Sequence, residues 1–215
     1  MLNTLTNGEV ASLLDLRQLL EELYKERTLY PYTTGQVIPL NSDDVLVVCR
    51  GVVQLTTLYP TGDEALLGLV TPSMPFGLPF TTIRPYQAMA MTDVDVMRLS
   101  MTEIEQSPTL TRGIFQHLSR RLRQTEALLT MVGHRRVRDR LCELLTLLGR
   151  EVGHPVDEGT RINIRLTHQH LANAIGTTRV TVTRLLGQLR EENWLTIDRN
   201  HYIILPHATA VLNSL

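Results

Sequence analysis

The sequence predicts an α+β fold: an N-terminal antiparallel β-roll, one long helix, and a C-terminal helix-turn-helix with a β-hairpin wing. Three observations carry this. From about Leu29 to Leu99 the chain consists of short β-type runs cut by turn signals. From Pro108 to Val132 it has no further proline and apolar residues at helical spacing. Near the end, two amphipathic stretches flank Gly176, and the run "WLTIDRNHYIIL" follows them.

The elements follow in chain order. Val10 to Leu29 reads as a helix, with Leu13, Leu14, Leu16, Leu19, Leu20 and Leu23 on an apolar stripe. The strands come next in "VLVVCRGVVQLTTLY", "YPTGDEALLGLV", "QAMAMT" and "VDVMRL", with turns at Arg50-Gly51 and at Pro60-Thr61-Gly62-Asp63. In the long helix, Leu118, Leu122, Thr125, Leu129 and Val132 alternate spacings of four and three, which is a heptad seam suited to a dimer. The same stripe also suits a helix packed on its own roll. Gly133-His134 interrupts the pattern as a candidate hinge. Beyond it lie the helix "RVRDRLCELLTLLGREVG", a loop from Gly153 to Gly159 and a short strand "RINIRL". Helices over about Thr167–Ala174 and Thr178–Glu192 follow, then a hairpin turning at Asp198-Arg199-Asn200. The expected domains are a roll with its helix (1–107), a dimerisation helix (108–133) and a winged helix-turn-helix (134–215).

Composition narrows the function. The chain has 215 residues, 43% hydrophobic and 20% charged, enough for two modest domains. It has no apolar run long enough to span a membrane, and its start lacks the basic region and cleavage site of a signal peptide. Cys49 and Cys142, the two cysteines, have neither disulfide-framework nor metal-ligand spacing. A cytoplasmic protein without a membrane partner is expected. The net charge of −1 hides an uneven distribution: eight arginines fall between Arg112 and Arg140, opposed by Glu126 and Asp139. A solvated helix face would show the same run.

The stretch "IGTTRVTVTRLL" is the most informative. Thr167 is a candidate N-cap, Leu171, Ala174 and Ile175 a core face, and Gly176 a turn requiring positive φ. Thr177 or Thr178 caps the second helix, which Val182, Leu185, Leu186 and Leu189 bury. The face left over carries Arg179, Val180, Thr183 and Arg184, which are neighbours at helical spacing. Arginine forks to guanine, valine touches a thymine methyl, and threonine hydroxyls suit phosphates. Arg199 sits at the wing turn. Thr167, Thr177, Thr178, Arg179, Val180, Thr183, Arg184 and Arg199 are therefore the candidate contacts to double-stranded DNA. The bland alternative is a solvated helix with spare arginines.

With these residues assembled, the chain resembles the CRP/FNR family of bacterial transcription regulators over almost its whole length. "IGTTRVTVTRLLGQLRE" and "RQTE" are similar to the recognition and dimer helices of its nitrogen-control members. The resemblance implies a roll of the cyclic-nucleotide-binding type (a double-stranded β-helix), a homodimer, a palindromic site like GTA-N8-TAC, and RNA polymerase as a partner. Arg179, Val180 and Arg184 match the base-reading positions.

It also bears on the effector. Cyclic-AMP-binding members carry a glutamate soon after Phe-Gly and later an Arg-Ser pair. Here Phe76-Gly77 precedes Leu78-Pro79-Phe80, and Pro85 follows Arg84, so cAMP is not expected. No cysteine precedes Cys49, which excludes the family's iron–sulfur cluster, and no histidine precedes His117, which disfavours haem. Nitrogen-control members bind 2-oxoglutarate. The resemblance assigns that role to Phe76, Gly77, Leu78 and Arg84, and to Arg121 and Glu126 reaching over from the second subunit. Two guanidinium groups suit a dicarboxylate, although Pro79 brings no N–H to the loop. Arg121 and Glu126 also occupy g and e positions, where an interchain salt bridge of a coiled coil belongs. Ligand-independent action or another small anion stays open. No cofactor is required by this reading.

Catalysis fails on inventory. All seven histidines lie outside the roll, so a cupin-type metal site has no ligands there. His168 and His170, two apart on a helix, are poor joint ligands and are expected beside phosphates or in solvent. No catalytic or metal-binding residue is assigned.

Overall fold

The structure, a computed structural model, describes residues 27–207. The expected helix Val10–Leu29 lies outside these residues except for its last three, which are not helical. The described residues fall into two compact units, 27–57 with 68–123, and 58–67 with 124–207.

The strands before the long helix are β1 (Tyr30–Tyr32), β2 (Asp44–Arg50), β3 (Val53–Leu58), β4 (Glu64–Val70), β5 (Pro75–Phe76), β6 (Gln87–Ala90) and β7 (Val94–Ser100); all lie in the first unit except the end of β3 and the start of β4, which fall in the segment Leu58–Leu67. One sheet has the order β1-β7-β2-β5 and the other β4-β3-β6. The run Val45–Val48 is continuously apolar because its sheet is covered on both faces. Val45, Val47, Met97 and Leu99 pack with Ile104 and Leu110, while Leu46, Val48 and Val96 are buried on the other side. Gly51 makes the β2–β3 turn at φ 88°, and Gly62 the β3–β4 turn at the same φ.

Two helices close this unit, α1 (Met101–Gln106) and α2 (Pro108–Val132), which continues into the second unit. Ser100 and Glu103 form a capping box on α1. The Arg27 guanidinium, followed by the Ser100 N–H, holds the Glu103 carboxyl down to about 2. The limits of α2 are those the sequence predicts. Among the described residues most of its heptad stripe is open: Leu122 is 60% and Leu129 70% exposed, Phe115 and Val132 are also exposed, and Leu118 is half-buried. Leu128 and Met131, on its other side, are buried.

The second unit holds α3 (Val137–Val152), β8 (Gly153–Val156), β9 (Gly159–Ile162), α4 (His168–Ile175), α5 (Arg179–Glu191), β10 (Thr196–Ile197) and β11 (Ile203–Pro206). Residues 133–136 separate α2 from α3. Leu141, Leu144, Leu145 and Leu148 of α3 enter the core with Leu171 and Ile175 of α4 and with Val182, Leu185, Leu186 and Leu189 of α5. The sheet order is β10-β11-β9-β8.

Three expectations are corrected here. Gly153–Gly159 is not a loop: its first four residues form β8, paired from Gly153↔Ile162 to Val156↔Gly159. Pro155 is tolerated because β8 is an edge strand. The strand expected at "RINIRL" begins earlier, at Gly159, and ends at Ile162, where the Asn163 N–H turns to the Val152 carbonyl. In α4 the buried small residue is Ala172, while Ala174 is half-buried, because Leu171, Ala172 and Ile175 share one helical face.

Candidate nucleic-acid interface

The helix-turn-helix is built by local chemistry. Thr167 caps α4: its Oγ1 accepts from the His170 N–H at 3.0 Å. Gly176 ends α4 in the left-handed region (φ 63°), and its N–H and that of Thr177 both reach the Ala172 carbonyl. There is open space for a Cβ at Gly176, so backbone conformation alone selects glycine. Of the two candidate caps it is Thr178 that starts α5, accepting from the Thr181 N–H at 3.2 Å.

The face of α5 left outside the core is the one expected. Arg179, Val180, Thr183 and Arg184 are all exposed, Val180 to 78%. Arg184 reaches only Gln188, at 3.3 Å. The threonines differ. The hydroxyls of Thr167 and Thr178 serve as caps, and that of Thr183 donates to the Arg179 carbonyl at 2.9 Å with His168 Nδ1 2.7 Å away. Thr177 is half-buried in the turn. Val180 and the Arg179 guanidinium, both exposed, take no part in these caps and bonds among the described residues.

The wing is organised by Asp198. Its Oδ1 accepts from the N–H groups of Asn200 and Tyr202, both at 2.8 Å, and His201 turns the chain at φ 64°. Arg199 is exposed at the tip. Arg161 and Arg165 lie over the Tyr202 ring, 5.1 and 5.8 Å from its centroid. Arg138 and Glu192 pair at the far end of α5.

The two histidines of α4 have partners within the helix-turn-helix. His168 is bonded to Thr183, and His170 completes the α4 capping box. Burial holds His170 below the usual imidazole range, against a smaller upward pull from Glu64. Neither is simply solvated. Sequence reasoning missed these roles because His168 and Thr183 meet only when the two helices pack.

The residues assigned to an effector differ in their surroundings. Phe76 is fully buried, paired with Leu46 in the sheet, and acts as a core residue. Gly77 (φ 146°) passes so close to the Asp44 carbonyl that a Cβ would lie 2.7 Å from it, and Leu78 opens a 3-10 turn to Phe80. Arg84 is exposed and donates to the carbonyls of its own loop, Ile83 at 2.7 Å and Thr81 at 3.3 Å. Arg121 stands beside Tyr86 of the same chain. Burial raises the Tyr86 phenol, and the Arg121 guanidinium pulls it partly back. The Tyr86 hydroxyl has no hydrogen bond of ordinary geometry. Tyr86 was not anticipated, although it lies two residues beyond Arg84. Glu126 is exposed.

Among the described residues no helix is long and apolar enough to cross a membrane, and no three His, Cys, Asp or Glu converge as metal ligands. Residues 139–210 match the Crp-like helix-turn-helix domain. The chain is 36% identical to the global nitrogen regulator of Synechocystis sp. over 167 residues, 74% of each protein. It is 34% identical to the regulatory protein CysR of Synechococcus elongatus over 158 residues, 72% of this chain and 73% of that protein. A CRP/FNR-family transcriptional regulator from Thermus thermophilus superposes with a TM-score of 0.70 at 27% identity, covering 87% of this chain and 97% of that one.

Proposed function

We propose, from the premise that this chain belongs to the CRP/FNR family of transcription regulators, that it is a cytoplasmic homodimer reading a palindrome like GTA-N8-TAC. The observation that carries this reading is the open face of α5, where Arg179, Val180 and Arg184 stand exposed behind a glycine-turned helix-turn-helix. In this proposal residues 1–107 sense, 108–133 dimerise through Leu118, Leu122, Thr125, Leu129 and Val132, and 134–215 bind DNA. Thr167, Thr177, Thr178, Thr183 and Arg199 flank the base-reading residues, the threonines chiefly by shaping the helix ends.

Arg179→Ala should weaken binding to the palindrome by roughly 1–3 kcal/mol and relax the preference at one base pair of each half-site. A competition assay with every single-base variant of the duplex reads this. Equal loss on all sequences would make Arg179 a phosphate contact instead.

For control, the proposed effector is 2-oxoglutarate. Arg84, Arg121 and the Tyr86 hydroxyl beside Arg121 would supply two cationic groups and a donor, chemistry that suits a dicarboxylate. Leu78 and Gly77 shape the adjoining turn. Bound effector would bias the segment around Gly133-His134 so that two recognition helices lie about 34 Å apart, one DNA turn. A few kcal/mol of differential affinity suffices. The Arg84 bonds to its own loop favour a second reading, in which the roll is ligand-independent or answers another small anion. Calorimetry of the dimer with 2-oxoglutarate and with cAMP, each with and without the duplex, separates them. Arg84→Ala should abolish the 2-oxoglutarate heat and leave the dimer intact; an unchanged titration would remove Arg84 from the site.

A further inference from the structure

Thr183 Oγ1 carries one proton and has two close partners, the Arg179 carbonyl at 2.9 Å and His168 Nδ1 at 2.7 Å. A carbonyl only accepts. When both bonds are made, the hydroxyl donates to Arg179 and His168 Nδ1 donates to the hydroxyl. A neutral imidazole has one N–H, so Nε2 is then a bare lone pair. The ring is half-exposed at the first residue of α4 and tied to the exposed face of α5. A lone pair set against a phosphate is repelled. An imidazolium keeps the Thr183 bond and adds a charge-assisted donor. The other neutral arrangement, with Thr183 donating to Nδ1, gives up the bond to Arg179.

Resting on the reading of α5 as the DNA-facing helix, we propose that His168 is a proton-linked positioning residue: it takes up a proton as this face closes on the phosphate backbone, and through Thr183 it steadies the turn of α5 that carries Arg179. The surrounding charges fit. Its own helix adds only His170, which burial holds below the usual imidazole range. α5 brings Arg179 and Arg184, and the loop before α4 brings Arg165. On α3, which packs on α4, stand Arg138, Asp139, Arg140 and Glu143, and the segment Leu58–Leu67 adds Asp63 and Glu64, the latter bonded to Asn173. A bound phosphate brings negative charge to this cationic face, where an imidazolium would gain a charge-assisted bond.

The sign follows. The protonated form binds more tightly, so affinity is greatest at low pH and falls as pH rises. In the limit of full linkage the fall is about tenfold per pH unit for each half-site. His168→Asn retains a donor for Thr183 and does not titrate. The test measures Kd for the palindrome and for random duplex at several pH values and constant ionic strength. The wild type should show the slope, specific to the palindrome, and the asparagine variant should lose it. Equal slopes in the two proteins overturn the proposal. Should the variant not bind, nitrogen-15 NMR of the wild-type complex at neutral pH decides: both His168 nitrogens protonated uphold it, and a neutral ring overturns it. A wild type with no preference for any palindrome at any pH is a distinct result, because it defeats the DNA-facing reading of α5 itself.

Discussion

Replacing both Leu122 and Leu129 with glutamate is expected to leave the purified chain monomeric and to cut its affinity for the palindrome by about 10²–10⁴-fold. Within one chain these side chains touch mainly water, being 60% and 70% exposed. Their replacement therefore costs little in the fold of the monomer. In a symmetric dimer each would be buried against its counterpart, and full burial of a leucine is worth about 1.5–3 kcal/mol. Four leucines across the seam are lost together, and the glutamates that replace them repel one another. Without the dimer, two recognition helices no longer share one local concentration. Sedimentation velocity and a binding titration read the two effects, with circular dichroism as the control for folding. A variant that still sediments as a dimer would show that α2 associates through another face.

Gly51→Ala is expected to destabilise the roll by roughly 2–6 kcal/mol, adding left-handed strain of about 1–3 kcal/mol to overpacking of about 1–3 kcal/mol. Gly51 turns between β2 and β3 at φ 88°, and a Cβ there would lie 2.2 Å from the Asp93 carbonyl oxygen and 2.8 Å from Thr92 Oγ1. That hydroxyl also accepts the Val52 N–H at 3.0 Å, so relief of the clash breaks a bond that anchors the turn. Urea unfolding would show a lower midpoint. Gly62, with the same φ but open space, provides the contrast, since alanine there meets only the backbone penalty. Equal losses at the two sites would mean that the contact with Asp93 is unimportant.

The sequence by itself determined the elements whose cause is local. Periodicity set the limits of α2, the caps and Gly176 set those of α4 and α5, and the stripe of Val182, Leu185, Leu186 and Leu189 fixed which face of α5 turns inward. With that face fixed, Arg179, Val180 and Arg184 had to point out. What depended on distant partners was decided only by the tertiary structure. β8 exists because β9 pairs with it, a neighbour that Gly153 and Pro155 do not announce. Tyr86 matters through Arg121, far along the chain, and His168 through Thr183 on the adjoining helix. Caps and periodicity act through residues a few positions apart, so they are written in the chain. Strand pairing, buried hydroxyls and proton sharing act between residues that meet only after the backbone has folded back on itself.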